Sequence, residues 1–168
     1  MVDWQSIVQG HRGLVWQTVY RIVGNWPDAE DCFQETFVSA LEYSRREEVR
    51  DWAALLRWLA TKRALDRLRR RLRQGARSAG PVDCDGLAGR QAGPGEEAEA
   101  AELAENLREA LGQLPPAQAE AFCLRFVESR SYREIARQMG VGVASVGVLL
   151  HRARRRLRAR LGSMLSEK

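Results

Sequence analysis

Arginine residues are concentrated in two segments of this sequence, which indicates a polyanionic partner. Residues 45–77 carry 12 basic and 4 acidic side chains, a net charge of +8, and residues 110–168 carry 11 and 4, a net charge of +7. The other two segments are acidic, at −4 for residues 1–44 and −6 for residues 78–109. Because a guanidinium group forms bidentate hydrogen bonds with phosphates and base edges, we expect two separate surfaces that bind a nucleic acid.

A group of polar side chains near the N-terminus forms a second candidate surface. Asp31, Gln34 and Glu35 are spaced i, i+3 and i+4, so they share one face of a helix. That face points away from Phe33 and Phe37, which belong to the apolar side. Taken alone, the pattern favours a solvated acidic face, and a protein-binding ridge is the alternative.

The sequence contains no arrangement typical of catalysis or metal binding. His11 and His151 lie in different halves, and no nucleophile motif or phosphate-binding glycine-rich loop is present. Cys32, Cys84 and Cys123 are scattered without a CxxC pair, so a zinc site is not expected. We therefore expect a protein that is not an enzyme and that uses no cofactor or metal.

Helical periodicity runs through nearly the whole sequence, and no stretch alternates as a half-buried strand would. Residues 4–23 predict a first helix, and Asp28 is the predicted N-cap of a second. The polar stretch 43–51 is either a loop or a frayed helix. Further along, residues 96–114 predict an acidic helix with Leu103 among its inward-facing residues.

The segment 74–95 divides the chain. Gly, Ala, Pro and Asp dominate it, and almost no large apolar residue is available to pack. We predict an all-α protein with two small helical domains, residues 1–73 and 96–168, joined by a flexible linker over 74–95. Since the sequence begins without a signal-peptide pattern and has no apolar run long enough for a bilayer, we expect a cytoplasmic protein without membrane insertion.

The C-terminal domain contains the spacing of a helix-turn-helix. Ser131 and Glu134 form a capping box at the start of a short helix. Ala136 is small enough for two helices to cross closely, and Gly140 can adopt the positive φ of the turn. The following helix, over about residues 144–161, would then present one face to the major groove.

Four short segments in this domain are typical of one family. They are Leu-Pro-Pro (114–116), Leu-Arg-Phe (124–126), Ser-Tyr-Arg-Glu-Ile-Ala (131–136) and Leu-His-Arg-Ala-Arg (150–154). With them, residues 107–156 resemble region 4 of the RNA polymerase sigma-70 family, which reads the −35 promoter element. The resemblance implies DNA contacts for Arg133, Ser145, His151, Arg152, Arg154 and Arg155.

The N-terminal domain supplies an independent match. Residues 28–37, Asp-Ala-Glu-Asp-Cys-Phe-Gln-Glu-Thr-Phe, resemble sigma region 2.2, whose pattern is close to DAEDxxQExF. In that family the exposed polar residues bind the clamp helices of the polymerase β′ subunit, which implies this role for Asp31, Gln34 and Glu35. Residues 55–71 are similar to regions 2.3 and 2.4, which melt and read the −10 element. The resemblance implies −10 contacts for Trp58, Lys62, Arg63, Arg67 and Arg70.

Two domains joined by a linker are the plan of the extracytoplasmic-function (ECF) group of sigma factors. The resemblance implies a factor that binds core RNA polymerase, through the β′ clamp helices and the β flap, and directs initiation at promoter DNA. It also allows an anti-sigma factor as a further partner. The alternative is a helix-turn-helix regulator that binds duplex DNA without polymerase and uses residues 1–72 for sensing or dimerisation.

The predicted recognition helix departs from the family pattern. Where the family often has Lys, Ser and Arg, this sequence has Gly147, Val148 and Leu149, so three DNA-facing polar groups become nonpolar. Base contacts would then fall on Ser145 and Arg152, with Arg133 as a third contact. We expect phosphate contacts to supply most of the binding by this helix.

Overall fold

The structure is a computed structural model that describes residues 3–75 and 94–166. In these two ranges every regular element is an α-helix, in agreement with the predicted all-α class. The seven helices are Trp4–Val23 (α1), Trp26–Ser44 (α2), Trp52–Gly75 (α3), Pro94–Gly112 (α4), Pro116–Phe126 (α5), Tyr132–Met139 (α6) and Val143–Ser166 (α7). The predicted linker lies almost entirely outside the described residues. None of the described helices is long and apolar enough to cross a membrane.

Helices α1, α2 and α3 form an N-terminal bundle around small and branched side chains. The core of the bundle contains Val15, Val19, Ile22, Ala29, Cys32, Ala40, Leu56, Ala60 and Ala64. Of the stretch 43–51, which the sequence left open between loop and helix, Tyr43 and Ser44 belong to the end of α2 and residues 45–51 form the loop between α2 and α3. Trp52 at the end of this loop packs edge-on against Trp4, with ring centroids 5.2 Å apart.

The start of α2 differs from the prediction. Asn25 is the N-cap, because its side-chain oxygen accepts a hydrogen bond from the backbone N–H of Asp28 at 3.0 Å. Pro27 therefore lies in the first turn, where its missing N–H has no helical partner to lose. The carboxylate of Asp28 accepts a hydrogen bond from Asn25 Nδ2 at 2.9 Å and is left to pair with other side chains.

Helices α6 and α7 form the predicted helix-turn-helix, and α5 packs against them. The core of these three helices contains Ala121, Leu124, Ile135, Ala136, Val146 and Leu150. The capping box is present in both directions, since Ser131 and Glu134 each accept a hydrogen bond from the other's backbone N–H. Gly140 ends α6 at φ 66°, a left-handed conformation that favours glycine.

The two halves of the molecule pack against each other along α3. Leu65 and Leu68 of α3 share one continuous core with Leu111 of α4, with Leu114 just after α4, and with Cys123 of α5. Contact is close because α4 ends in a glycine: a Cβ on Gly112 would meet the side chain of Leu72. The sequence leaves the relative arrangement of the two halves open. In the structure, the halves meet in a joint apolar interface.

The inward orientation expected for Leu103 is wrong. Its side chain is 48% exposed. The apolar contacts of α4 begin one turn later, at Leu107, and continue through the buried Ala110 and Leu111. Leu103 has the right period for the buried stripe, but it lies before the part of the helix that packs into the joint core.

Candidate nucleic-acid interface

The polar ridge on α2 is exposed as a consequence of how α2 packs. Ala29, Cys32 and Thr36 are buried on the inner side of the helix. The polar residues between them point outward: Asp31 and Gln34 are exposed, and Glu35 is half-buried. The structure thus places the three predicted polymerase-binding residues on the outer side of one helix.

Two of the five predicted −10 residues turn toward α2. Arg67 pairs with Asp28 at 2.9 Å, from Nε to Oδ1, and also forms an ion pair with Asp31. Arg63 donates a hydrogen bond from Nη2 to Ser39 Oγ at 2.6 Å. In this structure these two guanidinium groups bind α2 side chains, so a phosphate would have to compete with those partners.

Trp58 and Lys62 form a separate pair on α3, next to the C-terminal half. The ammonium of Lys62 lies 4.5 Å from the centroid of the Trp58 ring, a cation–π distance. The indole Nε1–H of Trp58 donates to Glu120 Oε1 of α5 at 3.0 Å. Arg70, the fifth predicted −10 residue, is exposed farther along α3. The five residues therefore do not form one patch in this arrangement.

Glu128, just after α5, connects the two halves through polar contacts. Its side chain is only 8% exposed. It accepts a hydrogen bond from Thr18 Oγ1 at 2.7 Å and lies 3.4 Å from Arg57 Nε. Arg21 adds a hydrogen bond to the carbonyl oxygen of Val127 at 3.3 Å. Sequence reasoning missed Glu128 and Glu120, because their partners are many tens of residues away and no local pattern links them.

Cys123 is buried in the joint core near these contacts. Burial raises the pKa of its thiol to about 12. Desolvation likewise raises the pKa of Cys32, inside the N-terminal bundle, to about 12. Since the thiolate is the reactive form, both thiols are protected for as long as their surroundings stay packed.

The outward face of α7 carries several of the predicted −35 residues. The inner side of the helix buries Val146, Leu150, Ala153 and Leu157, with a spacing of three or four residues. Ser145, Arg152 and Arg155 are exposed on the opposite side. Arg133 is exposed on α6. The helix-turn-helix therefore presents a polar and cationic surface to solvent.

Arg154 and His151 lie at the edge of that surface. The guanidinium carbon of Arg154 is 5.3 Å from the centroid of the Phe126 ring, so this side chain leans toward α5. With Arg155 and Arg158, these two residues line a shallow surface cavity of about 200 Å³. Arg154 is thus turned away from the outward line through Ser145 and Arg152.

Known protein families match both halves of the chain, in the order expected from the sequence. Residues 7–74 match the model of sigma-70 region 2, and residues 104–157 match that of sigma-70 region 4. The chain is 33% identical over 167 residues to the ECF RNA polymerase sigma factor SigE of Mycolicibacterium smegmatis. The chain belongs to the sigma-70 family, in its ECF group. In sigma-70 terms, α2 lies within the region 2 match, and the region 4 match includes α7 up to Leu157.

The match to SigE covers 99% of this sigma-70 chain but 65% of the length of SigE, so the chain spans about two thirds of that relative. A second relative, the ECF RNA polymerase sigma factor SigW of Bacillus subtilis, is 25% identical, with 93% of this chain and 87% of SigW covered. These two relatives extend the sigma-70 likeness over both halves.

Solved structures share the fold. The sigma factor RpoE, solved with the anti-sigma factor NepR from Bartonella quintana, has a TM-score of 0.56, with 96% of this chain and 98% of that chain covered. CnrH, solved with the cytosolic domain of CnrY, also gives 0.56, with 95% and 88% covered. Both are 22% identical to this chain, so these likenesses concern the fold.

Proposed function

We propose that this chain is a sigma factor that binds core RNA polymerase and directs initiation at specific promoters, without enzymatic activity of its own. The observation that carries the proposal is the combination of an exposed region 2 ridge with an exposed region 4 helix-turn-helix in one chain. A regulator that binds duplex DNA alone would use residues 1–72 only for sensing or dimerisation, whereas this half of the chain matches sigma-70 region 2. Such a factor would act in the cytoplasm, together with the polymerase.

The polymerase contacts follow from the two regions. We assign Asp31, Gln34 and Glu35 to the clamp helices of the β′ subunit, because they share the outer side of α2, where Asp31 and Gln34 are exposed and Glu35 is half-buried. On docking, Asp31 would exchange its ion pair with Arg67 for contacts with the polymerase. Region 4 would contact the β flap. The domains of this factor would be residues 1–73 and 96–168, connected by residues 74–95.

The DNA contacts divide between the halves. For the −10 element we propose Trp58 as a base-stacking platform, with cations that hold the backbone of the melted strands. Those cations are Lys62, Arg63, Arg67 and Arg70. For the −35 element we propose the exposed polar side chains of α6 and α7, which are Arg133, Ser145, His151, Arg152, Arg154 and Arg155.

An anti-sigma factor is a third class of partner. RpoE, which shares this fold, was solved in complex with the anti-sigma factor NepR. We propose that this chain is bound by a protein of the same kind.

The test of the function is run-off transcription with purified bacterial core polymerase on a library of promoter fragments. We expect specific transcripts only when chain and core are both present, and little binding of promoter DNA by the chain alone. Tight and specific binding of duplex DNA without polymerase, together with no transcript, would favour the helix-turn-helix regulator instead.

The ridge assignment gives a sharper test. We expect the double reversal Asp31→Lys/Glu35→Lys to abolish co-purification with core polymerase, because it replaces two carboxylates of the docking face by ammonium groups. The matched control is Glu97→Lys/Glu99→Lys on α4, which makes the same charge change at exposed positions of the other half. Circular dichroism and the melting temperature check that both variants are folded. Retention of core binding by the first variant, or its loss in both, would refute the assignment.

A further inference from the structure

Exposed apolar side chains are concentrated at the helix-turn-helix. Among the described residues, eight large hydrophobic side chains are exposed, and three of them fall between residues 141 and 148. These three are Val141 at 37%, Val143 at 48% and Val148 at 48% exposed. Single exposed apolar residues are ordinary on protein surfaces, but three within eight residues of a DNA-binding unit need a reason.

Val148 has a distinct position within this group. It lies on the side of α7 opposite the buried Val146 and Leu150. Ala144 lies one turn before it and Arg152 one turn after it, and both are exposed. Val148 is therefore the central side chain of the outward face of the recognition helix.

The charges around Val148 indicate what covers this face. Arg152 and Arg155 continue the same outward line toward the C-terminus of α7, and both are exposed. In a helix-turn-helix the first turns of the recognition helix meet the base edges, whereas arginines farther along reach phosphates. An apolar first half followed by a cationic second half therefore fits the major groove, with Val148 at the bases and the arginines at the backbone.

We propose that Val148 reads a thymine in the −35 element through the C5-methyl group of that base. The thymine methyl is the apolar feature that a base pair presents in the major groove, and apolar side chains contact it. Val148 has no hydrogen-bonding group, so it discriminates by burying this methyl and by leaving the polar edges of other bases without a partner. The inference rests on the proposed function. It also replaces the expectation from the sequence that the nonpolar substitutions only remove base contacts.

The test replaces thymine by uracil, which keeps the base-pairing edge and lacks the methyl group. A promoter selected from the run-off library is prepared with uracil at each −35 thymine in turn, on either strand. With core polymerase, we expect uracil at one position to lower initiation by the wild-type chain about fourfold, the effect of burying one methyl-sized group. Val148→Ala should initiate about fourfold less on the thymine promoter and should be insensitive to uracil.

The matched control is Val143→Ala. Val143 has the same 48% exposure on the same helix, but five residues separate it from Val148, a rotation of about 140° around the helix. We expect Val143→Ala to keep the sensitivity to uracil at that position. Loss of this sensitivity in Val143→Ala would overturn the assignment to Val148.

The remaining outcomes separate this inference from the function on which it rests. Normal initiation with no effect of uracil at any position, or a selected −35 element without thymine, would overturn the inference and leave the sigma function intact. Undiminished initiation by Val148→Ala on the thymine promoter would overturn it as well. Absence of initiation on every promoter would overturn both.

Discussion

Glu134 shows how much a single side chain contributes to the start of the helix-turn-helix. Its carboxylate accepts the backbone N–H of Ser131 at 2.8 Å and a hydrogen bond from Arg130 at 2.7 Å. These hydrogen bonds, led by the one from the Ser131 backbone, lower the pKa of Glu134 to about 2. The ionised form of Glu134 therefore fixes the first turn of α6.

This pKa predicts an acid-sensitive contribution to stability. Because folding lowers the pKa of Glu134, its ionised carboxylate stabilises the folded state at pH values above 4.5, the ordinary pKa of this group. This contribution is lost as the pH falls toward about 2. Glu134→Gln keeps a side chain that can accept the Ser131 N–H but cannot be protonated in this range. We expect the free energy of unfolding, measured with urea between pH 5 and pH 2, to fall less steeply in Glu134→Gln than in the wild type.

The control for this measurement is Glu99→Gln, at an exposed position on α4 outside any capping box. Its pH dependence should follow that of the wild type. Equal slopes for the wild type and Glu134→Gln would contradict the proposed origin of the low pKa.

At the scale of the helices, α7 contains a glycine that its backbone does not require. Gly147 lies inside the helix, and a Cβ added there would stand 3.9 Å from Tyr132 Cε2, an ordinary van der Waals contact. Gly140, between α6 and α7, differs because its φ is 66° and nothing lies within 4 Å of the added Cβ. The two glycines therefore separate the effect of helix propensity from that of a left-handed backbone.

We expect Gly147→Ala to stabilise the protein by about 0.5–1 kcal/mol, because glycine loses more backbone entropy in a helix than alanine does. Gly140→Ala should destabilise it by about 1–2 kcal/mol, since alanine is disfavoured at positive φ. Urea denaturation of the two variants checks both signs. Destabilisation by Gly147→Ala would mean that α7 needs the close approach to Tyr132.

The same scale shows which elements can be predicted from sequence. The start of α6 and its end at Gly140 were correct, because local chemistry within a few residues decides them. The predicted N-cap of α2 was wrong, because both Asn25 and Asp28 are suitable cap residues. The choice between them depends on the other partners of Asp28, which are Arg67 and Arg71. The predicted orientation of Leu103 was wrong, because periodicity indicates which side of a helix is buried but not how much of its length packs against the rest of the protein.

For the whole molecule, the family and the helical class were predictable, but the packing of the two halves was not. Thr18 and Glu128 are 110 residues apart, and neither local sequence predicts the hydrogen bond between them. The same holds for Trp58 and Glu120. The candidate site residues were therefore predicted one by one, whereas the contacts that join the two halves could come only from the tertiary structure.

The contact of Glu128 with the N-terminal half predicts that its loss loosens the interface. Glu128→Ala removes the acceptor of Thr18 and the charge beside Arg57, at a cost of about 1–3 kcal/mol for a largely buried charged group. We expect Cys123, in the joint core, to be alkylated roughly tenfold faster or more in Glu128→Ala, since each 1.4 kcal/mol corresponds to about a factor of ten. Mass spectrometry after iodoacetamide treatment measures the rate, with Cys84 replaced by Ser in both proteins.

Cys32 serves as the internal control for this experiment. It is buried within the N-terminal bundle, away from Glu128, so its alkylation rate should not change. Equal acceleration of both thiols would indicate general unfolding. No acceleration of Cys123 would show that the apolar contacts alone hold the halves together.

The hydrogen bond between Trp58 and Glu120 has a consequence for competition. An indole ring has one N–H, and here α5 occupies it. If stacking a −10 base on this ring requires Trp58 to turn and give up this hydrogen bond, the strand competes with α5, and α5 has the advantage of belonging to the same polypeptide, where effective concentrations are on the order of millimolar. Any protein that draws α5 aside therefore raises the apparent affinity for the strand without touching a nucleotide.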